Sequence, residues 1–359
     1  MSMRSRASAR GYISWRNVGF ACLMAAAIDS VAAAWQAALP VPVPSPAPLL
    51  VGYLPAYKGA GLASAVQGLD LTGMTHLNLA FGNPPKCGHS CTSQSDMTFS
   101  LNGESSTDID AIVATAHAAG VKVLLSIGGG GGDQLIIQFY NAGLSVPLVA
   151  SLDRFVRAHR LDGVDLDIED PSNMGAPYAA LVSDLASTFH QEGKLVTAAV
   201  AKYLQDSMPD SALHQFDFIS VMNYSSYDSA AAALRFYAQD KKVPRDEIIL
   251  GVPFFASNSG DSKEEDYRTI LTAYPNAWKV NMVGGGALDD GQAFHYVGES
   301  TMARETQLGK EYGGIMIWEI MGDADAPHAL LKIIKDGLEK STPATRNCSC
   351  DEAAKKHEY

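Results

Sequence analysis

Cysteine is scarce in this chain, with five among 359 residues. That excludes a dense disulfide scaffold. Cys22 falls in the N-terminal segment, and the others form two close pairs, Cys87 with Cys91 and Cys348 with Cys350. The pairs lie far apart and lack histidines at ligand spacing, which argues against a shared zinc site. Long apolar runs are also missing. Val18 to Ile28 is too short to span a bilayer, and Asp29 interrupts it. Charge is thin at 18%, and basic residues are the minority, 27 against 39 acidic. Such an acidic chain suits neither nucleic acid nor an anionic membrane surface. The glycine run 128–132 lacks the Lys-Ser/Thr ending of a phosphate loop, and Asp133 follows it.

What is present is apolar and ordinary for a globular protein, at 47% hydrophobic residues. Residues 1–34 read as a signal peptide. Arg4, Arg6, Arg10 and Arg16 form a basic start, Val18 to Ile28 the apolar stretch, and Ala32 to Ala34 a cleavage site. Secretion, extracellular or periplasmic, is therefore expected, with no membrane attachment after cleavage. Losing four Arg and one Asp takes the formal charge from −12 to −15. In an exported protein a Cys87–Cys91 disulfide closing a loop is expected. Cys348 and Cys350 are too close for an unstrained mutual bridge and pair elsewhere or stay free. Residues 35–48 form a Pro-rich, extended linker. Residues 49–340 form the body, and 341–359 a polar tail.

The body alternates short apolar runs with amphipathic stretches. Eight runs have strand length: Leu49–Leu54, His76–Phe81, Val121–Ile127, Gly163–Ile168, Leu195–Val200, Phe218–Met222, Ile248–Phe254 and Gly314–Trp318. Helical patterns lie between them at Thr107–Ala119, Val146–His159, Tyr178–Gln191, Ala230–Ala238 and Glu299–Tyr312, and Ala326–Glu339 follows the last. Eight strand–helix units in about 290 residues point to an α/β fold, a (β/α)8 TIM barrel. An open doubly wound sheet is the alternative. A monomer is expected.

The window Asp162-Gly163-Val164-Asp165-Leu166-Asp167-Ile168-Glu169 carries the chemistry. In a strand, period two puts Asp165, Asp167 and Glu169 on one face and Val164, Leu166 and Ile168 on the other. In the fourth barrel strand the acids face inward, with Glu169 at the C-terminal rim, where barrel active sites sit. Three acids so placed cannot all ionise, so at least one keeps a proton with a raised pKa. An acidic solvent-facing edge strand does not fit the Val, Leu and Ile between them. A calcium loop needs a glycine and further ligands that are missing. No histidine accompanies the acids, which argues against a metal centre. No cofactor is expected.

The window resembles the Asp-Gly-x-Asp-x-Asp-x-Glu signature of glycoside hydrolase family 18, the chitinases and their relatives. Ser126-Ile127-Gly128-Gly129 resembles the family's Ser-x-Gly-Gly, and Met222-Asn223-Tyr224 its Met-x-Tyr. Val51–Tyr53, Leu77–Phe81, Leu250–Phe254 and Gly313–Glu319 resemble its first, second, seventh and eighth strands. The likeness runs from residue 49 to about 324. It implies hydrolysis of β-1,4-linked N-acetylglucosamine polymers with retention, the substrate's acetamido oxygen acting as nucleophile. It implies that Glu169 is the general acid and that Asp167 holds the acetamido N–H. Asp165 would share a proton with Asp167, and Tyr224 would fix the acetamido oxygen. Ser126 and Tyr53 would support Asp165, with Asp162 also in a supporting role. Trp318 would floor the sugar, and Tyr53, Phe81, Gly129, Met222 and Asn223 would complete the substrate contacts.

Ser225 stands where many family members carry Asp after the Met-x-Tyr. Asp228 or Tyr227 is the nearest substitute. Only 55 residues run from Asn258 to Tyr312. No large α+β insertion between strands seven and eight is therefore expected, but a shallow groove and endo-acting cleavage. The alternatives are an endo-β-N-acetylglucosaminidase or peptidoglycan hydrolase on the same fold, a non-catalytic chitin-binding lectin, and an unrelated metal-dependent barrel enzyme.

Overall fold

The eight apolar runs become eight parallel strands closed into a barrel. A computed structural model describes residues 47–339, apart from 59–60, 69, 85–97, 131, 171, 173–174, 205, 259–262 and 285–292. The expected signal peptide, most of the expected linker, the expected tail and all five cysteines, with the expected Cys87–Cys91 disulfide, lie outside the described residues. The barrel strands are β1 (Leu49–Pro55), β2 (His76–Asn83), β3 (Lys122–Gly128), β4 (Gly163–Asp167), β5 (Leu195–Ala201), β6 (Ile219–Met222), β7 (Ile248–Pro253) and, after an insertion, β12 (Gly314–Trp318). Each pairs in parallel with its neighbours, and β1 closes the ring by pairing with both β2 and β12. Ser100–Leu101 adds a two-residue antiparallel appendage to β2.

Helices cover the outside: α1 (Leu62–Gly68), α2 (Ser106–Ala118), α3 (Asp133–Asn141), α4 (Ser145–Ala158), α5 (Ala176–Phe189), α6 (Asp210–Leu213), α7 (Tyr227–Gln239), α8 (Tyr267–Ala273), α9 (Glu299–Lys310) and α10 (Leu330–Glu339). Their ends follow local capping chemistry. Ser105 accepts from the Asp108 amide at the start of α2, and Ser226 accepts from the Ser229 amide at the start of α7. That cap begins α7 at Tyr227, three residues before the start expected from apolar spacing. α10 begins at Leu330 rather than Ala326. The Asp323 carboxylate accepts from the Leu330 and Leu331 amides at 2.8 and 2.9 Å and fixes the first turn there.

Between β7 and β12 the chain makes a small excursion, as the 55-residue spacing allows. Four short antiparallel strands, β8 (Phe255–Asn258), β9 (Glu264–Asp266), β10 (Met282–Gly284) and β11 (Ala293–His295), run in the order β9-β8-β11-β10. With α8 they form a low wall beside the barrel mouth.

Apolar side chains divide into two groups. The larger fills the layer between strands and helices. The smaller, including Val51, Tyr53, Ala199, Ile249 and Met316, fills the barrel interior. Asn78, Ser126, Asp165, Thr197 and Ser220 are buried polar residues on the barrel strands. One acid stands apart. Glu305 of α9 is 1% exposed, and neither carboxyl oxygen finds a hydrogen bond among the described residues. Burial pushes its pKa up to about 8, and nearby Arg304 opposes that. Below the ordinary glutamate range both folded and unfolded chains hold the proton. As pH rises toward 8 only the unfolded chain releases it, so stability falls. The native protein should lose on the order of 3 kcal/mol across this window, at about 1.4 kcal/mol per pKa unit. Glu305→Gln should remove that fall, as measured by urea titrations at about pH 5 and about pH 8.

Candidate functional site

Strand β4 sorts its residues by period two. Val164, Leu166 and Ile168 are at most 1% exposed and join the apolar layer under the helices. Asp165 and Asp167 are buried on the other side, and Glu169 is partly exposed just past the strand's C-terminal end.

Asp165 is the most enclosed of the three. Tyr53 of β1 donates to it at 2.6 Å, Ser126 of β3 at 2.7 Å and Thr197 of β5 at 2.7 Å. Burial raises its pKa, and the three hydroxyl bonds pull it back. Burial raises the Tyr53 phenol well above its ordinary value, and the charges of Asp165 and Asp167 add to that, so it stays a donor. Tyr53 was expected to touch substrate, but at 1% exposure it does not reach the surface. Its role is to hold Asp165.

The glycines after β3 seat Asp167 and the aromatic floor. A Cβ on Gly128, at φ +108°, would lie 2.1 Å from the Asp167 carbonyl oxygen, and the Gly129 amide donates to that oxygen at 2.7 Å. Gly129 was expected to meet substrate. Instead it is buried at φ +77°, and a Cβ there would lie 2.4 Å from the Phe81 ring. Phe81 stacks on Trp318 with centroids 5.6 Å apart at 25°, and Trp318 meets Tyr53 edge-on at 5.4 Å. Phe81 and Trp318 are both partly exposed.

Tyr224 follows β6. Its ring meets Phe255 edge-on at 5.4 Å. Its hydroxyl is buried and makes no hydrogen bond among the described residues. Burial raises its pKa well above the ordinary value, and the charges of Asp167 and Glu169 raise it further. Asn223, expected at the substrate, spends its amide on its own turn. It accepts from Ser229 at 2.7 Å and from Ser225 at 3.4 Å and donates to the Ser226 carbonyl at 3.3 Å. Ser225 is exposed.

These residues border an open cleft of about 1080 Å³. Glu169, Met222, Asn223 and Tyr224 line it, with Ser225, Tyr227 and Asp228 beyond them and Phe255, Glu264 and His295 on the insertion side. Phe81 and Trp318, both partly exposed, pack against the cluster in the barrel interior that includes Tyr53. Asp162 lies at the opposite end of β4. It accepts from the Val123 amide at 2.7 Å and from His117 at 2.8 Å, so it ties β3 to α2 rather than supporting the other acids.

Sequence reasoning missed three features. Thr197 sits in an unremarkable run, and only the β4–β5 register, which pairs it with Asp165, reveals it. Lys58 joins β1 to the insertion, donating to Asp266 at 2.6 Å and to buried Glu319 at 2.7 Å. Those partners are 208 and 261 residues away. Tyr203, just past β5, donates to Glu169 at 3.3 Å.

The model for glycosyl hydrolases family 18 matches residues 50–323. The chain belongs to glycosyl hydrolase family 18. Among its relatives, an endochitinase of Brugia malayi is 26% identical over 294 residues, covering 61% of this chain and 58% of that one. A chitinase-like effector of Moniliophthora perniciosa is 35% identical over 108 residues, covering 30% and 23%. The chain thus spans little more than half the length, or less, of these relatives. The crystal structure of a family 18 chitinase from the chitin utilization locus of Flavobacterium johnsoniae superposes with a TM-score of 0.69 at 24% identity, covering 82% of this chain and 94% of that one. That likeness establishes the same (β/α)8 barrel.

The glycine contact yields a direct test. Gly129→Ala forces a side chain into positive φ, at about 1–2 kcal/mol, and displaces Phe81 from Trp318. Urea denaturation should show at least that loss, together with a changed tryptophan emission spectrum of the folded protein.

Proposed function

We propose that this family 18 chain is a secreted, endo-acting hydrolase of β-1,4-linked N-acetylglucosamine polymers that works with retention through the substrate's own acetamido group. The carrying observation is the division of labour along β4. Asp165 is sealed by three hydroxyls and Asp167 is buried, so Glu169 is the acid that opens to the cleft. Beside them the Tyr224 hydroxyl is buried without a hydrogen-bond partner among the described residues, the right chemistry to bind a carbonyl oxygen.

Glu169 gives its proton to the glycosidic oxygen as the C1–O bond breaks. The acetamido carbonyl oxygen attacks C1 from the opposite face and closes an oxazolinium ring. Asp167 accepts from the acetamido N–H and balances the positive charge, and Tyr224 donates to the carbonyl oxygen before attack. Glu169, now a carboxylate, takes a proton from the water that opens the ring, so the product keeps its anomeric configuration. The openness of the cleft and the smallness of the insertion support cleavage within a chain. The printed name of the Brugia relative, endochitinase, agrees. The Arg-rich, apolar N-terminal segment supports secretion.

A second reading is chitin binding without hydrolysis. Ser225, in place of an acid and turned toward Asn223, favours it, as does a relative described only as chitinase-like. The retained Asp165, Asp167 and Glu169 favour hydrolysis.

Chitin pentasaccharide incubated with the native protein should yield products from internal cuts, followed by mass spectrometry. Glu169→Gln should slow this by a factor of about 10² to 10⁴, the usual worth of a general acid. Binding by both proteins without cutting would favour the second reading. Dimers released only from one end would contradict endo action.

A further inference from the structure

Tyr203 stands at the rim beyond β5 with most of its side chain exposed, 64% by area. Its hydroxyl reaches Glu169 Oε2 at 3.3 Å. Both residues line the cleft. We propose that Tyr203 is a positioning residue for the general acid: its hydroxyl holds the Glu169 carboxylate in place and biases it toward giving up its proton. This rests on the reading of Glu169 as the acid.

A phenol can donate to a carboxylate or accept from a carboxylic acid, so a bond forms with either state of Glu169. The two bonds are unequal. Donation to the charged form is charge-assisted and stronger. Tyr203 therefore stabilises the carboxylate, the state that Glu169 reaches when the glycosidic oxygen has taken the proton. Oε2 is turned to Tyr203, and Oε1 lies on the side of Gly130, 3.9 Å from where a Cβ on that glycine would stand.

Among the described residues, charged and titratable groups near Glu169 come from several elements. Asp167 and Asp170 lie on its own segment, Tyr224 follows β6, and Glu264 lies across the cleft on β9. The loop after β3 contributes Gly130, with no titratable group. The acidic neighbours all oppose ionisation of Glu169. Tyr203 acts in the opposite sense, which gives its removal a distinctive sign.

The test uses Tyr203→Phe, which keeps the ring and deletes the hydroxyl on an exposed side chain. The Glu169 side-chain carboxyl is titrated by ¹³C NMR in the native protein and the variant, with Glu169→Gln used to assign the resonance. Its pKa should rise by about 0.5 to 1 unit in Tyr203→Phe, a modest share of what a hydrogen bond to a charged group can shift. The alkaline limb of kcat/KM on chitin pentasaccharide should move to higher pH by the same amount, with kcat lowered. An unchanged or lowered Glu169 pKa overturns the inference. Because the titration needs no turnover, that result is distinct from a failure of the native protein to cut chitin, which would strike the functional reading instead.

Discussion

Asp165 is a carboxylate walled off from water, and hydroxyls from three different strands converge on it. Burying an ionised acid is costly, and hydrogen bonds to its oxygens offset that cost. Those bonds fix the register of β1, β3, β4 and β5 at one level of the barrel. Once Asp165 is held there, the alternation of a strand places Asp167 one step higher and Glu169 at the rim. The buried pair raises the cost of charge near the mouth, and the partly exposed Glu169 is the member that can exchange protons with a ligand. Position and chemistry thus follow from one local constraint.

Around that column the rim is assembled from distant segments. Gly128 and Gly129 let the end of β3 close against the Asp167 backbone and the Phe81 ring. Lys58 draws the insertion and the end of β12 together through Asp266 and buried Glu319. The insertion is small, so the cleft stays open on that side. Deletion of the Lys58 side chain would leave Asp266 and buried Glu319 without that counterpart at the point where the insertion meets the barrel.

Much of this was legible in the sequence. Each barrel strand falls within two residues of an apolar run, because parallel strands buried on both sides need nearly continuous Val, Ile and Leu. The acid window was readable because carboxylates turned inward between outward aliphatics are costly in a core, and such costs concentrate where chemistry is done. The likeness to family 18 fixed their roles as expectations. Less legible were contacts across the fold. Asp162 and Glu169 belong to the same motif, yet they lie at opposite ends of one strand, so motif membership did not reveal that Asp162 serves packing. Tyr53 and Gly129 sit in matching strands, but their burial depends on what stands opposite them. Tyr203, Lys58 and Thr197 carry no local pattern at all. The start of α10 was misplaced because its cap, Asp323, lies seven residues upstream of the amide it serves.

The central claim is that one acid acts with the substrate's own acetamido oxygen as nucleophile. It is tested most directly by a series of chitin oligosaccharides whose N-acetyl groups carry zero, one, two or three fluorines. Fluorine drains electron density from the attacking carbonyl oxygen while changing size little. The account predicts a steep, progressive fall in kcat/KM along the series. A rate independent of fluorine content would contradict it and point to an enzyme carboxylate or a direct water attack in place of the acetamido group.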